Sequence, residues 1–420
     1  MKKYLIVVAV VLIIAAGIAV YNGKLNNEAD ANQRTTKSYQ STTNPAIELF
    51  VPNTTQPAQP TAQNSGGTDS AGDSSPVLSQ EEAAADYNYM WQVLEDNYAF
   101  FGVAKRKYGV DKDEVKQKYL DEIMQYSSIS AYDLGRKIIS ECLLEFHFCG
   151  NLGIPAGTVL SSSDGTIRTV TPGLNGSNVL FKTINDTTAY MKINSMDIQY
   201  SGTDYEQIIN FYSQIKDYQN LIIDITGNSG GDINYWIDNI VKPNIDTKTE
   251  YSEYFFVKPG RENLDCMTIY GFNLNKLAVS SDVITDMKSV NTDDLKMFDK
   301  LYKNTVEISP EKIGEKQFNG NIYLLIDKDV TGEADNFAAF CKNTGFATVV
   351  GTMWGSSGKR GDIYNNWITL PNSRLIFEYS PVYMLNADGS CNEEYGTPPE
   401  YICKDGETPL DACLRVIAGK

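Results

Sequence analysis

LIIDITGNSGG, residues 221–231, sets the pattern that decides the fold: an apolar run, a glycine-rich turn and the start of a new element. NIYLLIDKDVTGEADNFAAFCKNTGFATVVG, residues 321–351, repeats this pattern with a longer apolar run. Each run has the length of a strand, and each turn leads into a helical pattern. We therefore predict two buried parallel strands followed by helices. Functional groups are expected where such strands end.

The first turn contains Asn228, Gly230 and Gly231. Glycine leaves the backbone N–H groups accessible, because it carries no side chain. Backbone N–H groups held in a fixed turn can stabilise a developing oxyanion. Gly230 and Gly231 are therefore candidate oxyanion donors.

The two segments resemble the tail-specific (C-terminal processing) and tricorn-core family of serine peptidases. That family has a D-x-R-G-N-x-G-G turn, then a Ser-x-x-E-x-F-A turn, then G-R-A-T-V-V-G-E. The corresponding stretches here are DITGNSGG at residues 224–231, GEADNFA at 332–338 and GFATVVGT at 345–352. The resemblance extends from about residue 86 to the C terminus. It implies an α/β, crotonase-like peptidase core that takes peptides or unfolded protein segments.

The serine of the family falls on Gly332, which has no side chain and cannot form an acyl-enzyme. The amide of the next residue, Glu333, would be a further oxyanion donor. Thr331 has a hydroxyl, but a displacement by one residue aims the side chain elsewhere. The resemblance thus implies a degraded nucleophile with retained peptide binding. A peptidase with another nucleophile, or a cell-surface scaffold or adhesion module that reuses the fold, is the alternative.

His147 is the only histidine, and its segment is similar to the L-x-D-x-H segment of the family, with Glu145 at the Asp position. In the tricorn-core branch, a histidine from this region is the general base, a role that suits a pKa near neutrality. In the other branch the base is a lysine about twenty-five residues after the serine. That register falls on Ser357, with Lys359 nearby, and we interpret Lys359 as a surface lysine.

DGSCNEEYGTPPE, residues 388–400, resembles a late family segment that supplies an acidic orienting residue in the tricorn-core branch. The register selects Glu393, with Glu394 as the alternative. A carboxylate at this point can fix the tautomer of the base. An ordinary acidic turn is the competing interpretation. The resemblance therefore implies a catalytic set at His147, Gly332 and Glu393.

Lys2 and Lys3 precede an uncharged apolar stretch, residues 4–20, in the layout of an export signal. Its length also approaches that of a membrane span. We predict an uncleaved signal anchor over residues 1–21 in preference to a cleaved signal, with the rest of the chain extracytoplasmic. Residues 22–78 are rich in Ser, Thr, Asn, Gln and Pro, and we predict a disordered linker.

Residues 79–150 are predicted to form a helical subdomain that begins at a capping box of Ser79 and Glu82. Residues 151–420 are predicted to form the core. About forty residues separate His147 from Thr188, too few for the PDZ domain found in many family members. The predicted helices are 113–125, 131–144, 204–216, 232–241, 335–342 and 409–417. The predicted strands are 166–170, 179–184, 188–193, 221–224, 322–326, 367–370 and 375–379.

The net charge is −17, and basic residues are grouped only at Lys2-Lys3 and in short local runs, so nucleic acid is not expected as a partner. A single histidine and the absence of any C-x-x-C give no support for a zinc site, and no cofactor is expected. The seven cysteines either remain buried thiols or include one bridge among Cys391, Cys403 and Cys413.

Overall fold

The computed structural model describes residues 75–154, 159–160, 167–168, 177–352, 355–356 and 358–419. The predicted anchor and most of the predicted linker lie outside these residues. Within the described part, no helix combines the length and the apolar character that a bilayer span requires.

Helices form the first described part of the chain. Ser79 and Glu82 make the predicted capping box at the start of the first helix. Trp91 on this helix packs against Phe101 and Phe146, so that the helices share a buried aromatic core. The elements are β1 (Val77–Ser79), α1 (Gln80–Asn97), α2 (Phe101–Tyr108), α3 (Lys112–Ile123), β2 (Ser128–Ser130) and α4, which joins Ala131–Asp133, the π-helical Leu134–Ile139 and Ser140–Leu144.

The main sheet has six strands in the order β16-β12-β11-β7-β6-β5. The five strands from β16 to β6 run parallel to one another, and β5 pairs with β6 in the antiparallel direction. The predicted buried strands are its centre, β7 and β11. The strands are β5 (Val179–Asn185), β6 (Thr188–Ile193), β7 (Asn220–Asp224), β11 (Asn321–Ile326), β12 (Thr348–Gly351) and β16 (Tyr401–Ile402).

Helices cover both faces of this sheet. On one face Ile223 and Leu324 pack with Phe337, and on the other Ile222 and Val350 pack against the last helix. Parallel strands are therefore buried on both sides, as their continuous apolar runs predict. These helices are α5 (Ile198–Gln214), α6 (Ile233–Trp236, continuing through the π-helical Ile237–Val241 and Lys242–Asn244), α9 (Glu333–Thr344) and α11 (Pro409–Ile417).

A second, antiparallel sheet in the order β15-β8-β10-β9 was not predicted. Its strands are β8 (Thr249–Val257), β9 (Ala278–Val279), β10 (Leu301–Ile308) and β15 (Val382–Met384). The remaining elements are β3 (Val159–Leu160), β4 (Ile167–Arg168), α7 (Arg261–Ile269), α8 (Leu274–Leu277), the hairpin β13 (Asn366–Thr369) and β14 (Ile376–Tyr379), α10 (Asn392–Tyr395), and 3₁₀ turns at Cys149–Asn151, Ser281–Asp286, Asp294–Met297 and Arg360–Ile363.

All seven cysteines are free thiols, including Cys391, Cys403 and Cys413. Six of them are buried, where a thiol behaves as a small apolar side chain. The bridge considered among the last three is therefore not formed.

Candidate functional site

Two turns meet at the carboxyl edge of the main sheet. The turn after β7 and the turn after β11 lie side by side, because Leu325 is paired with Asp224 in the parallel register. The amide of Thr331 donates to the carbonyl oxygen of Asn228 at 3.2 Å. The amide of Gly227 donates to Asp327 Oδ1 at 2.9 Å. The parallel pairing thus brings the two motifs together.

Gly332 occupies the N-cap position of α9 with φ 58° and ψ −129°. This conformation is costly for residues with a Cβ, so glycine holds the strand-to-helix turn without strain. A Cβ on Gly332 would meet only the carbonyl oxygen of Ser229, at 3.5 Å. The position therefore has room for a side chain although it carries none.

Three amides were predicted as oxyanion donors, and they differ in what they bind. The N–H of Gly230 donates to Asn228 Oδ1 at 2.9 Å. The N–H groups of Gly231 and Glu333 make no hydrogen bond within the described part of the chain. These two amides are the candidates for binding an anion, and that of Glu333 lies at the N terminus of α9.

His147 lies in a loop of unusual backbone conformation. His147, Phe148, Asn151 and Lys359 all have left-handed φ values between 51° and 68°, and they account for four of the five such non-glycine residues described. Strained backbone of this kind clusters at functional sites. The imidazole of His147 is exposed and stacks on Tyr108, with ring centroids 4.4 Å apart. Its ring nitrogens have no hydrogen-bond partner among the described residues.

Glu393 is buried and contacts the same loop. Its Oε1 accepts the N–H of Gly150 at 2.9 Å. Burial raises the pKa of Glu393, and the nearby cation of Lys359 acts in the opposite direction. Glu394, the alternative, is held by Arg106 at 2.7 Å.

Lys359 connects the loop of His147 with the Gly332 turn. Its Nζ donates to the carbonyl oxygen of Phe148 at 3.2 Å. Its neighbour Gly358 accepts the N–H of Gly332 at 3.1 Å. Lys359 is therefore half-buried within the site, where sequence reasoning had expected a surface lysine. The available signal in the sequence was the position of Lys359, two residues beyond the point where one branch of the family has its lysine base.

The carboxyl group of Glu333 lies beneath the turn. It is buried and accepts a hydrogen bond from Trp236 Nε1 at 3.2 Å. Burial raises the pKa of Glu333 to about 8, while the hydrogen bond from Trp236 opposes this change. At neutral pH this side chain is therefore mainly an uncharged acid.

Asp335 belongs to a buried polar network that the sequence did not reveal. It accepts hydrogen bonds from Ser356 Oγ and, at 2.8 Å, from Asn392 Nδ2. Arg360 Nε lies 3.6 Å from the same carboxylate. The network connects α9 with the residue before Glu393, and Asp335 is fully buried. It therefore serves to position the site.

Other residues considered from the sequence are held by local partners. Thr331 Oγ1 donates to the carbonyl oxygen of Ser229 at 3.3 Å. Glu145 binds Lys118 at 2.6 Å and is turned to the helical subdomain. Ser357 lies outside the described residues.

Comparison with known proteins gives a family and a fold. The model of peptidase family S41 matches residues 187–403. No curated protein matches the chain. Among solved structures, a candidate peptidase from Parabacteroides merdae is 17% identical with a TM-score of 0.52, and the match covers 81% of this chain and 96% of that one. Mature CPAF is 12% identical with a TM-score of 0.51 and the same coverage. At these identities the similarity concerns the fold.

Proposed function

The chain belongs to peptidase family S41, and from this membership we propose that it binds peptides or unfolded protein segments without cleaving them. Proteolysis is the activity of the family. The observation that carries the proposal is Gly332, which stands at the turn between β11 and α9 without a hydroxyl or thiol. Loss of a nucleophile leaves only about 10³–10⁴-fold catalysis over water, which is negligible for peptide hydrolysis.

The rest of the site supports binding. The free amides of Gly231 and Glu333 would hold a carbonyl oxygen of the bound peptide, and Gly230 allows the two turns to approach. His147 would be the base of an intact site, and Glu393 would hold its loop through Gly150. Lys359 is the second candidate for the base. It contacts the loop of His147, and it directly follows Gly358, whose carbonyl oxygen accepts the hydrogen bond from Gly332.

We place this core, with a crotonase-like arrangement and no PDZ domain, on the extracytoplasmic face of a membrane. The support is the sequence of residues 1–21, in which two lysines precede an apolar stretch, and the linker-like composition that follows. The anchor would hold the core near the membrane surface.

The test compares the purified full-length chain with its Gly332→Ser variant on an unfolded protein and on a peptide library. The variant is expected to gain hydrolysis, because a Cβ on Gly332 would meet only the carbonyl oxygen of Ser229, at 3.5 Å. Gly227→Ser is the matched control, since Gly227 also has a positive φ and no neighbour within 4 Å of a built Cβ. Adding His147→Ala or Lys359→Met to Gly332→Ser identifies the base.

Binding is measured on the same proteins by fluorescence anisotropy of labelled unfolded peptides. The native chain should bind and should release its peptides uncut. Hydrolysis by the native chain that His147→Ala abolishes would overturn the proposal and would require another nucleophile. An absence of peptide binding by the native chain would favour the scaffold or adhesion alternative.

A further inference from the structure

A cavity of about 400 Å³ lies between the N-terminal helices and the segment after β8. It is lined by residues of α1, α2 and α3, by Lys258 and by Met297, and none of these belongs to the candidate site. Its volume falls in the range of about 300–1,000 Å³ that is typical of small-molecule sites.

The walls of the cavity are aromatic and fixed. Tyr98 is 1% exposed, and its hydroxyl donates to the carbonyl oxygen of Cys149 at 2.5 Å. The ring of Phe101 packs edge-on against Tyr98, with centroids 4.8 Å apart, and stacks on Trp91. Met297 also lines the cavity, and the partly exposed side chains of Phe101 and Met297 offer an apolar surface to a flat ring, with Tyr98 holding Phe101 from behind.

Two ammonium groups stand at the same cavity. Lys258 donates to the carbonyl oxygen of Glu95 and has no carboxylate within 4 Å among the described residues. Lys112 binds the carboxylate of Asp113 at 2.7 Å and lies 3.7 Å from that of Glu95, which binds Lys116 at 2.8 Å. Burial lowers the pKa of Lys258. The carboxylates of Asp96 and Glu95 oppose this change, and the nearby cation of Lys112 adds to it. Of the two lysines that line the cavity, Lys258 is therefore the one without a carboxylate at ion-pair distance among the described residues.

We propose that this cavity binds a small organic anion with an aromatic body, such as an aryl carboxylate or an aryl sulfonate. The ring would lie against Phe101 and Met297, and the anionic group would pair with Lys258, with the cation of Lys112 close by. An anion in the cavity would give Lys258 the negatively charged partner that it lacks. A half-buried ion pair contributes more free energy than an exposed one, because water screens it less. This site is independent of the proposed peptide-binding function.

The test measures binding of 8-anilinonaphthalene-1-sulfonate to the full-length chain by fluorescence titration. N-phenyl-1-naphthylamine, which has the same rings without the sulfonate, is the matched neutral probe. Lys258→Met and Lys112→Met should each weaken the sulfonate probe at least tenfold and change binding of the neutral probe less than twofold. Met297→Trp should weaken both probes, because it fills the cavity.

Lys118→Met is the control variant: it removes the same charge from α3 at a residue that binds Glu145 and contacts neither the cavity nor Glu95. It should leave both titrations unchanged. Circular dichroism checks that each variant is folded. Lys112→Glu, at the first position of α3, provides a second charge change if Lys258→Met does not fold. Equal affinities of the native chain, Lys112→Met and Lys112→Glu for the sulfonate probe would overturn the proposal, as would unchanged binding in Met297→Trp.

Discussion

Gly230 and Glu333 approach so closely that a Cβ built on Gly230 would stand 2.8 Å from the amide nitrogen of Glu333. It would also stand 3.0 Å from the carbonyl oxygen of Thr331. Both neighbours are backbone atoms of the second turn and cannot move aside alone. The side-by-side packing of the two turns therefore depends on a residue without a side chain at this position.

Gly230→Ala is expected to destabilise the fold by about 2 kcal/mol or more, since it adds this overlap to the strain of φ 98°. The measurement is the free energy of unfolding in urea. Gly227→Ala has a similar positive φ but no overlap, so it should cost only about 1–2 kcal/mol. Equal costs for the two variants would contradict the packing argument.

Glu333 should make stability depend on pH. Its pKa is raised from 4.5 to about 8 in the folded chain, so between these values the folded chain keeps a proton that the unfolded chain releases. Stability from this group is therefore full below about pH 4.5 and is lost as pH rises to about 8, by about 1.4 kcal/mol per pH unit.

Glu333→Gln removes this dependence. The unfolding free energy of the variant minus that of the native chain should rise steadily from pH 5 to pH 8 and then level off. Glu315→Gln makes the same chemical change at an exposed residue and should give a flat difference. A flat difference for Glu333→Gln as well would show that the carboxyl is ionised throughout.

Arg360→Met is expected to cost about 3–5 kcal/mol, because it leaves Asp335 and Glu253 buried without their cation. Chemical denaturation provides the measurement. Arg261→Met, which breaks an exposed ion pair with Asp265, should cost less than about 1 kcal/mol. A small loss for Arg360→Met would mean that the two buried carboxyl groups do not depend on this cation.

Gly332→Ala tests the strain at the nucleophile position apart from any chemistry. A loss of about 1–2 kcal/mol in unfolding free energy is expected from φ 58°, without change of fold, as the added methyl group meets only Ser229. Circular dichroism and urea unfolding measure it. A larger loss would mean that the turn cannot accept the serine variant used to test function.

The sequence predicted the centre of the fold well, because β7 and β11 each contain a continuous apolar run and are followed by turns that contain glycine. The limits of β6 and α11 were also predicted as Thr188–Ile193 and Pro409–Ile417. The second sheet was missed because β10, LYKNTVEI, alternates polar and apolar residues only weakly and its partner β8 lies more than forty residues earlier. Pairing at that separation leaves no local pattern.

Candidate site residues could be predicted from the sequence where they belong to a motif, but not where only tertiary contacts define them. Gly332 and Glu393 follow from register. The contact of Lys359 with Phe148 and the burial that raises the pKa of Glu333 both depend on segments that are distant in the chain. The composition of the chain and the spacing of its motifs do not indicate such neighbours.

The hydrogen bond from Gly150 to Glu393 joins residues 243 positions apart. During synthesis the loop of His147 therefore leaves the ribosome long before the residue that secures it. The helices can fold early on local contacts, but the site is assembled only when almost the whole chain has emerged. A nascent or truncated chain that ends before α10 would be a folding intermediate without the completed site.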